Sequence, residues 1–304
     1  MSASFAKALE AAHDAAGSQN HPASTLYVVA TPIGNLADIS LRALHVLARV
    51  DAVACEDTRH TQQLLRAYGL DRPGAQLLAV HQHNEAEAAQ SVIARLSQGE
   101  RVAYVSDAGT PAISDPGARL VAAVRQAGYR VLPLPGASSV TTALSASGMT
   151  GDHGFVFAGF LPSKSGERQQ AVQGLAQESR AVVLLEAPHR IEALAQALSV
   201  LGERRITVGR ELTKQFEQID TLLAQNLPDW LAEKPDRQRG EFVLVLHDAP
   251  VAESTGEGLR VLQLLLPELP LKSAVKLAAE ITHESKNTLY ELALALKNKL
   301  GNGP

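Results

Sequence analysis

The sequence contains a single cysteine, Cys55, among 304 residues. One thiol excludes an internal disulfide and a multi-cysteine zinc site, and it fits a reducing, cytoplasmic setting. Long apolar runs are also missing. The richest stretch, 261–271, is interrupted by Gln263, Pro267, Glu268 and Pro270, far short of the roughly 18 to 20 apolar residues that cross a bilayer, so no membrane span is expected. Residues 1–24 carry Glu10 and Asp14 and have neither the basic start nor the apolar core of a secretion signal. They read as a flexible Ala/Ser-rich extension with at most a frayed helix.

Several nucleotide and nucleophile signatures are absent as well. No G-x-G-x-x-G follows the first strand signal, and neither G-x-x-x-x-G-K-[ST] nor G-x-S-x-G occurs. The usual dinucleotide and triphosphate cradles and the hydrolase elbow therefore lack support. A net charge of −4 argues against a protein wholly dedicated to coating nucleic acid. It leaves room for a local basic patch: residues 164–214 hold eight Lys or Arg against six Asp or Glu.

What is present is the rhythm of an α/β protein. Short apolar runs at 26–30, 52–55, 77–80, 102–106 and 130–134 predict strands, separated by helical stretches at 40–49, 61–68, 85–98 and 118–127. Most of the strands lack polar alternation, as expected when helices cover both faces of a mostly parallel sheet. Leu41, Leu44, His45 and Ala48 show helical spacing behind Ser40, a residue suited to cap the start. After the stiff segment PLPG at 133–136 the pattern restarts, with Ser138 expected to cap a helix through Ala146. Strand signals at 155–160, 181–185, 205–210, 216–221 and 242–246 follow, and the adjacency around 210–221 predicts a mixed sheet. The expected layout is a 1–24 extension, an α/β domain at 25–136, a second at 137–248, a linker at 248–256 and a helical tail at 256–304. In the tail, Ala274, Leu277, Ala278 and Ile281 share one helical face, and Leu289, Leu292, Ala293 and Leu296 share another. Two readings stay open there: a helix-turn-helix offering Lys286, Asn287 and Lys297 to a phosphate backbone, or a helical hairpin packed on the body.

Four loops after strands are rich in residues that admit close backbone approach: TPIGN at 31–35, SDAGTPAISDPG at 106–117, PGASS at 135–139 and EAPHR at 186–190. In open α/β sheets ligands lie beyond the carboxyl ends of the strands, so the first three are expected to share one mouth. His81 and His83 with Glu85 form a fragment of a metal pattern that no second cluster completes. A loop role is expected for them, and no metal.

Taken together, TPIGNL at 31–36, EDTR at 56–59, HNE at 83–85, VSDAGTP at 105–111, DPG at 115–117 and PLPG at 133–136 resemble the tetrapyrrole (corrin/porphyrin) methylase superfamily. GFLP at 159–162, RELTK at 210–214, GEFVLV at 240–245 and LPLK at 269–272 extend the likeness to its ribosomal branch, which methylates cytidine 2′-oxygens of small-subunit rRNA. The resemblance implies a cofactor, S-adenosylmethionine, folded into a cleft between the two domains. It implies 16S rRNA of the small ribosomal subunit, near the decoding centre, as substrate, and a homodimer as the working form. The cofactor residues it selects are Pro32, Gly34, Asp107, Ala108, Gly109, Thr110, Ile113, Asp115, Ser138, Ser139, Phe160, Leu161, Glu186 and Gly240. Asp107 and Asp115 either hold the cofactor's cationic end or brace the loop.

Methyl transfer to a ribose hydroxyl requires in-line placement of oxygen, carbon and sulfur and removal of the hydroxyl proton. Candidates for that chemistry are Asp57, Glu85, Glu186, Glu211 and Lys214, and the residues suited to gripping RNA phosphates are Arg59, Lys164, Arg190, Arg210, Lys286 and Lys297. Two other functions compete with this one. One is methylation of a tetrapyrrole or other small molecule. The other is non-catalytic nucleic-acid binding through the tail, which leaves four open loops unexplained.

Overall fold

The computed structural model describes residues 5–81, 84–150, 154–249, 255–282 and 284–300. Gln82 and His83, most of the expected linker, and the extreme ends of the extension and tail lie outside the described residues. The expected extension holds a packed helix: α1 (Ala6–Ala16) buries Ala12 and Ala16, with Ala12, Ala8 and Leu9 clustered on Leu44 of α2 (Leu41–Arg49). Small side chains at i and i+4 let the two helices approach closely, which an Ala-rich composition permits and a reading as flexible chain overlooks.

The first sheet contains β1 (Thr25–Val29), β2 (Ala52–Cys55), β3 (Leu77–Ala79), β4 (Arg101–Val105) and β5 (Arg130–Leu134) in the order β3-β2-β4-β1-β5. Every pairing in it is parallel. Alternate residues serve opposite faces. Tyr27, Val29, Val53, Ala103 and Val105 pack under α2 and α3 (Thr58–Ala67), while Leu26, Ala54, Val102 and Tyr104 pack under α4 (Glu85–Ser97) and α5 (Ala118–Gln126). Ser40 caps α2 as expected, its Oγ accepting the Ala43 amide at 3.1 Å.

The second sheet is mixed. It contains β6 (Phe155–Gly159), β7 (Ala181–Glu186), β8 (Arg205–Arg210), β9 (Gln218–Leu223) and β10 (Phe242–Leu246) in the order β6-β7-β10-β8-β9. Only β6 and β7 run parallel. One face is covered by α7 (Ser165–Ala176), α8 (Ile191–Leu198) and α9 (Leu227–Ala232), the other by α6 (Ser139–Ala146). Ile33, from the loop after β1, packs into the α6 cluster, so the first domain's ligand loop is anchored in the second domain's core. Phe216, expected at the start of β9, lies outside the strand and is 69% exposed.

The tail has three helices where two were expected: α10 (Thr255–Leu265), α11 (Leu271–Thr282) and α12 (Lys286–Leu300). They share their own core around Leu262, Ala278, Leu289 and Ala293. Leu277 and Ile281, expected on the inner face of α11, are exposed, and Val275 and Ala279 are buried instead. Among the described residues no helix is long and apolar enough to cross a membrane.

Three imidazoles meet where α1 docks. The His45 ring lies 5.7 Å from that of His13 and 4.8 Å from that of His21, and His45 Nε2 is buried without a hydrogen-bond partner. Burial, then His21, Arg49 and His13, lower the His45 pKa. Burial also lowers that of His247, whose Nε2 lies 2.8 Å from the Thr207 hydroxyl. A histidine with a depressed folded pKa protonates first in the unfolded chain. Its contribution is therefore complete above the unfolded value of about 6.5 and is lost as pH falls below it, by up to about 1.4 kcal/mol per pH unit. The melting temperature is expected to drop between pH 7.5 and 5.5, and His45→Leu to flatten that dependence; an unchanged slope in the variant would remove His45 from the account.

Candidate functional site

The central strands of the parallel sheet, β1 and β4, deliver the loops 30–35 and 106–117 to the same edge. The two loops are stitched by an isolated bridge in which the Thr31 amide donates to Gly109 O at 2.9 Å and the Gly109 amide to Thr31 O at 3.0 Å. Thr31 Oγ1 donates to Ser106 O, and Thr110 Oγ1 to Ala137 O at 3.0 Å, which ties in the third loop. Gly109 holds φ at +80°, and a Cβ there would stand 3.2 Å from Ile33 Cγ2. Ala112 also has a positive φ, +66°. Left-handed backbone at a side-chain-bearing residue persists only where its surroundings over-determine it, which is common in ligand-binding loops.

These loops form one wall of a cleft of about 350 Å³, and the second domain supplies the other. That volume lies in the range of small-molecule and cofactor sites. Of the expected cofactor residues, Ala108, Gly109, Thr110, Ile113, Asp115, Ser138, Ser139, Phe160 and Glu186 line it. Ser138 stands at the N-terminus of α6 but makes no side-chain capping bond, contrary to expectation. Pro32, Gly34, Asp107, Leu161 and Gly240 are not among the residues that line the cleft. Asp107 Oδ1 accepts the Asp57 amide at 3.2 Å, a bond that ties the loop to the start of α3. Leu161 is buried in the second core. Ala187, from the expected 186–190 loop, and Glu241, beside Gly240, also line the cleft, as do Leu185, Phe242 and Val243. Most of these follow from one pairing: β10 runs antiparallel to β7 and sets Phe242 opposite Glu186. A strand's first residues thereby reach the ligand edge, and a search of loops after strands misses them.

The structure separates the chemical candidates. Asp57 caps α3, accepting the Arg59 amide at 2.8 Å, and pairs with the Arg59 side chain at 2.9 Å. Those bonds pull its pKa to about 2, which makes it a poor proton acceptor. Glu85 is buried and caps α5: its Oε1 accepts the amides of Gly117, Arg119 and Leu120 at 2.8, 3.0 and 3.3 Å. A carboxylate at a helix N-terminus is favoured by the exposed amides and the helix dipole. Glu85→Ala is expected to cost about 2–3 kcal/mol by urea denaturation, because three amides, two of them buried, lose their acceptor. Glu85→Gln keeps an acceptor and should retain turnover; loss of turnover in a well-folded Gln variant would return Glu85 to the catalytic set.

Glu211 and Lys214 are brought together with Glu241. Lys214 Nζ bonds Glu211 Oε1 and Glu241 Oε2, both at 2.9 Å, and the lysine stem lies across Gly34, where a Cβ would come within 2.4 Å of it. Burial opposes the charge on Lys214, but the bonds to Glu241 and Glu211 outweigh it and hold its pKa above the ordinary value. Burial likewise acts to raise the Glu211 pKa, and the Glu241 amide with Lys214 brings it below the usual carboxylate value. Gly240 presses on Glu211, and the turn between carries positive φ at Glu211 and Thr213. On the first domain's wall, burial raises the Asp115 pKa, partly countered by Ser106; burial with Asp107 and Asp115 also raises that of Glu56. No group of histidine, cysteine or carboxylate side chains suited to a metal ion occurs among the described residues.

Two of the expected RNA grips turn to partners within the protein. Arg210 is buried and donates to Arg239 O and Phe216 O, and Arg190 pairs with Glu186 and donates to Leu161 O. Arg210 ends β8 and Arg190 lies in the turn after β7, and each guanidinium satisfies main-chain carbonyls there. Arg59 and Lys164 are exposed and paired with Asp57 and Glu167, and Lys286 and Lys297 are exposed on α12.

Residues 25–228, which hold both sheets except β10, match the family model described as Tetrapyrrole (Corrin/Porphyrin) Methylases. The chain belongs to that family. Its fold is similar to that of a cobalamin biosynthetic enzyme, cobalt precorrin-4 methyltransferase, with a TM-score of 0.53 over 73% of this chain and 94% of that one. At 19% identity the likeness speaks for the fold alone. Residues 252–297 match a second model, the RsmI C-terminal HTH domain. In sequence, the chain is 50% identical to the Ribosomal RNA small subunit methyltransferase I of Pseudomonas aeruginosa, over 91% of this chain and 99% of the relative. It is 47% identical to the protein of the same name from Escherichia coli O157:H7, over 88% and 94%.

Proposed function

We propose that this protein transfers the methyl group of S-adenosylmethionine to the 2′-oxygen of a cytidine ribose in 16S rRNA of the small ribosomal subunit, near the decoding centre. The observation that carries the chemistry is the interdomain cleft, walled by the stitched loops after β1, β4 and β5 and by the ends of β7 and β10. The substrate class rests on the relatives' names at 46–50% identity over nearly their whole length. The working form is a homodimer in the cytoplasm.

The residues present fit the cofactor. Gly109 leaves the space a Cβ would fill, the hydroxyls of Thr110, Ser138 and Ser139 stand near apolar Ile113, Phe157 and Val243, and Glu186 Oε2 is a buried oxygen without a partner. When bound, S-adenosylmethionine supplies an electrophilic methyl group on a sulfonium. The protein's part is placement and charge. Asp115 lends negative potential to the cleft wall, and the rigid loops fix the distance and line of attack. To Lys214, kept protonated by Glu211 and Glu241, we assign the task of steadying charge that grows on the acceptor oxygen. Glu241, which lines the cleft, is the carboxylate of that cluster open to the hydroxyl proton.

The test is transfer of a labelled methyl group to small subunits from cells lacking this protein, with the product mapped by mass spectrometry. A 2′-O-methylcytidine is expected. No incorporation into those subunits, or methylation of a porphyrinoid without RNA, would replace this reading.

A further inference from the structure

A second concavity, of about 440 Å³, adjoins the cleft. Ser114 and Asp115 line both, so the two spaces meet along one stretch of the 106–117 loop. Its other lining residues are Glu85, Pro116, Gly117, Ala118 and Arg119. Buried groups hold this surface in shape. Glu85 Oε1 accepts the amides of Gly117, Arg119 and Leu120, the Tyr104 hydroxyl donates to Pro116 O, and the Tyr104 ring occupies the space that a Cβ on Gly117 would need. The concavity is therefore formed before any ligand arrives, as binding sites commonly are.

Charge and surface narrow the occupant. Three amides at the start of α5 already serve Glu85, so anion binding here falls to a side chain. Arg119 is exposed, and its guanidinium meets no acceptor among the described residues, whereas Arg59 and Lys164 are paired with Asp57 and Glu167. Unspent N–H donors in a planar fork suit a phosphate. The apolar side chains of the lining are Pro116 and Ala118. They offer enough surface for the face of a sugar or base and too little for the apolar core of a protein interface.

Position narrows it further. Transfer to a ribose hydroxyl requires the acceptor oxygen in line with methyl and sulfur, so the acceptor nucleotide occupies space next to the cofactor. A concavity of this size takes one nucleotide and not the flank of a double helix, which calls for a nucleotide turned out of its stack.

We propose that this concavity receives the target nucleotide, unstacked, with its phosphate on Arg119 and its ribose at the rim formed by Ser114 and Asp115, where the 2′-oxygen reaches the cofactor cleft. This rests on the methyl-transfer reading above. It adds an RNA-binding residue that neither the loop motifs nor the helical tail contains.

Steady-state methylation of small ribosomal subunits by the full-length protein, with salt titration of subunit binding, calorimetry with S-adenosylhomocysteine and a thermal melt, tests it. Arg119→Ala is expected to raise KM for subunits about 10-fold, the loss of one charge-assisted contact, and to flatten the slope of log affinity against log salt by about 0.7 to 0.9. Cofactor affinity, kcat and melting temperature should stay at their wild-type values. Arg119→Lys should recover part of the KM, since lysine keeps the charge without the fork. Ala118 is exposed and lines this concavity but not the cleft. Ala118→Trp fills the space, and a ribose displaced by about 1 Å is expected to lower kcat/KM on the order of 100-fold at unchanged cofactor affinity.

A wild-type KM and salt slope in Arg119→Ala, or undiminished methylation by Ala118→Trp, would overturn the proposal. A raised KM with an unaltered salt slope would overturn it in favour of a ribosomal protein as the partner of Arg119. Lost cofactor affinity in either variant would make the concavity part of the cofactor site instead. In each of these outcomes the wild-type protein still methylates subunits; if it does not, the methyl-transfer reading itself falls, and this proposal with it.

Discussion

Gly109→Val is expected to weaken S-adenosylmethionine binding by about two to three orders of magnitude while the protein stays folded. A β-branched residue at φ +80° is disfavoured by roughly 1–2 kcal/mol or more. Its Cβ would also crowd Ile33 Cγ2, which is itself wedged into the α6 core and cannot readily retreat. The cheapest relief is to open the Thr31–Gly109 bridge and let the 106–117 loop relax out of the cleft. Binding must then rebuild the strained loop, and about 3–4 kcal/mol of rebuilding corresponds to the stated loss of affinity. Both cores on the first sheet lie away from this loop, so the melting temperature should move little. Calorimetry with the cofactor, beside a thermal melt, measures both quantities. Wild-type affinity in the variant would mean that this loop does not carry the cofactor.

The second large effect is expected on the RNA side. Deletion of the tail from residue 250 onward should leave cofactor affinity intact and weaken association with small ribosomal subunits by about tenfold or more, on the order of a few lost phosphate contacts. The reason is that α10, α11 and α12 pack around a core of their own, separate from the clusters that build the two sheets. Replacing Lys286 and Lys297 by glutamate is the milder version, and each lost phosphate contact should flatten the slope of log affinity against log salt by up to about 0.9. Equal methylation of subunits by the full and shortened proteins would show that the tail is only a packed bundle.

How far these sites are legible in the sequence depends on what kind of information each needs. The loop 106–117 is a local signal: glycine and proline after an apolar run imply a backbone-lined turn at a strand end whatever surrounds it. The capping role of Ser40 is equally local, since one hydroxyl and one amide three residues on suffice. Glu85 passes for a catalytic candidate because its partners are the amides at 117–120, more than thirty residues away, and nothing in the sequence says that α4 and α5 lie side by side. The same distance hides Glu241, which an antiparallel pairing carries to the cleft, and it disguises Arg190 and Arg210, whose charges are spent on carbonyls. Helix α1 escapes notice for another reason: alanine signals helix and flexibility alike until a partner face is known.

The sequence by itself determined the two α/β halves, the parallel character of the first, the ligand loops and the family, because hydrophobic period and turn chemistry act over a few residues. Only the tertiary structure decided which carboxylates brace and which face the cleft, for charge says nothing about partners until the chain is folded. The 106–117 loop needed both: its residues made it open, and Ile33 in the other domain's core, the Thr31 bridge and the Glu85 cap made it rigid.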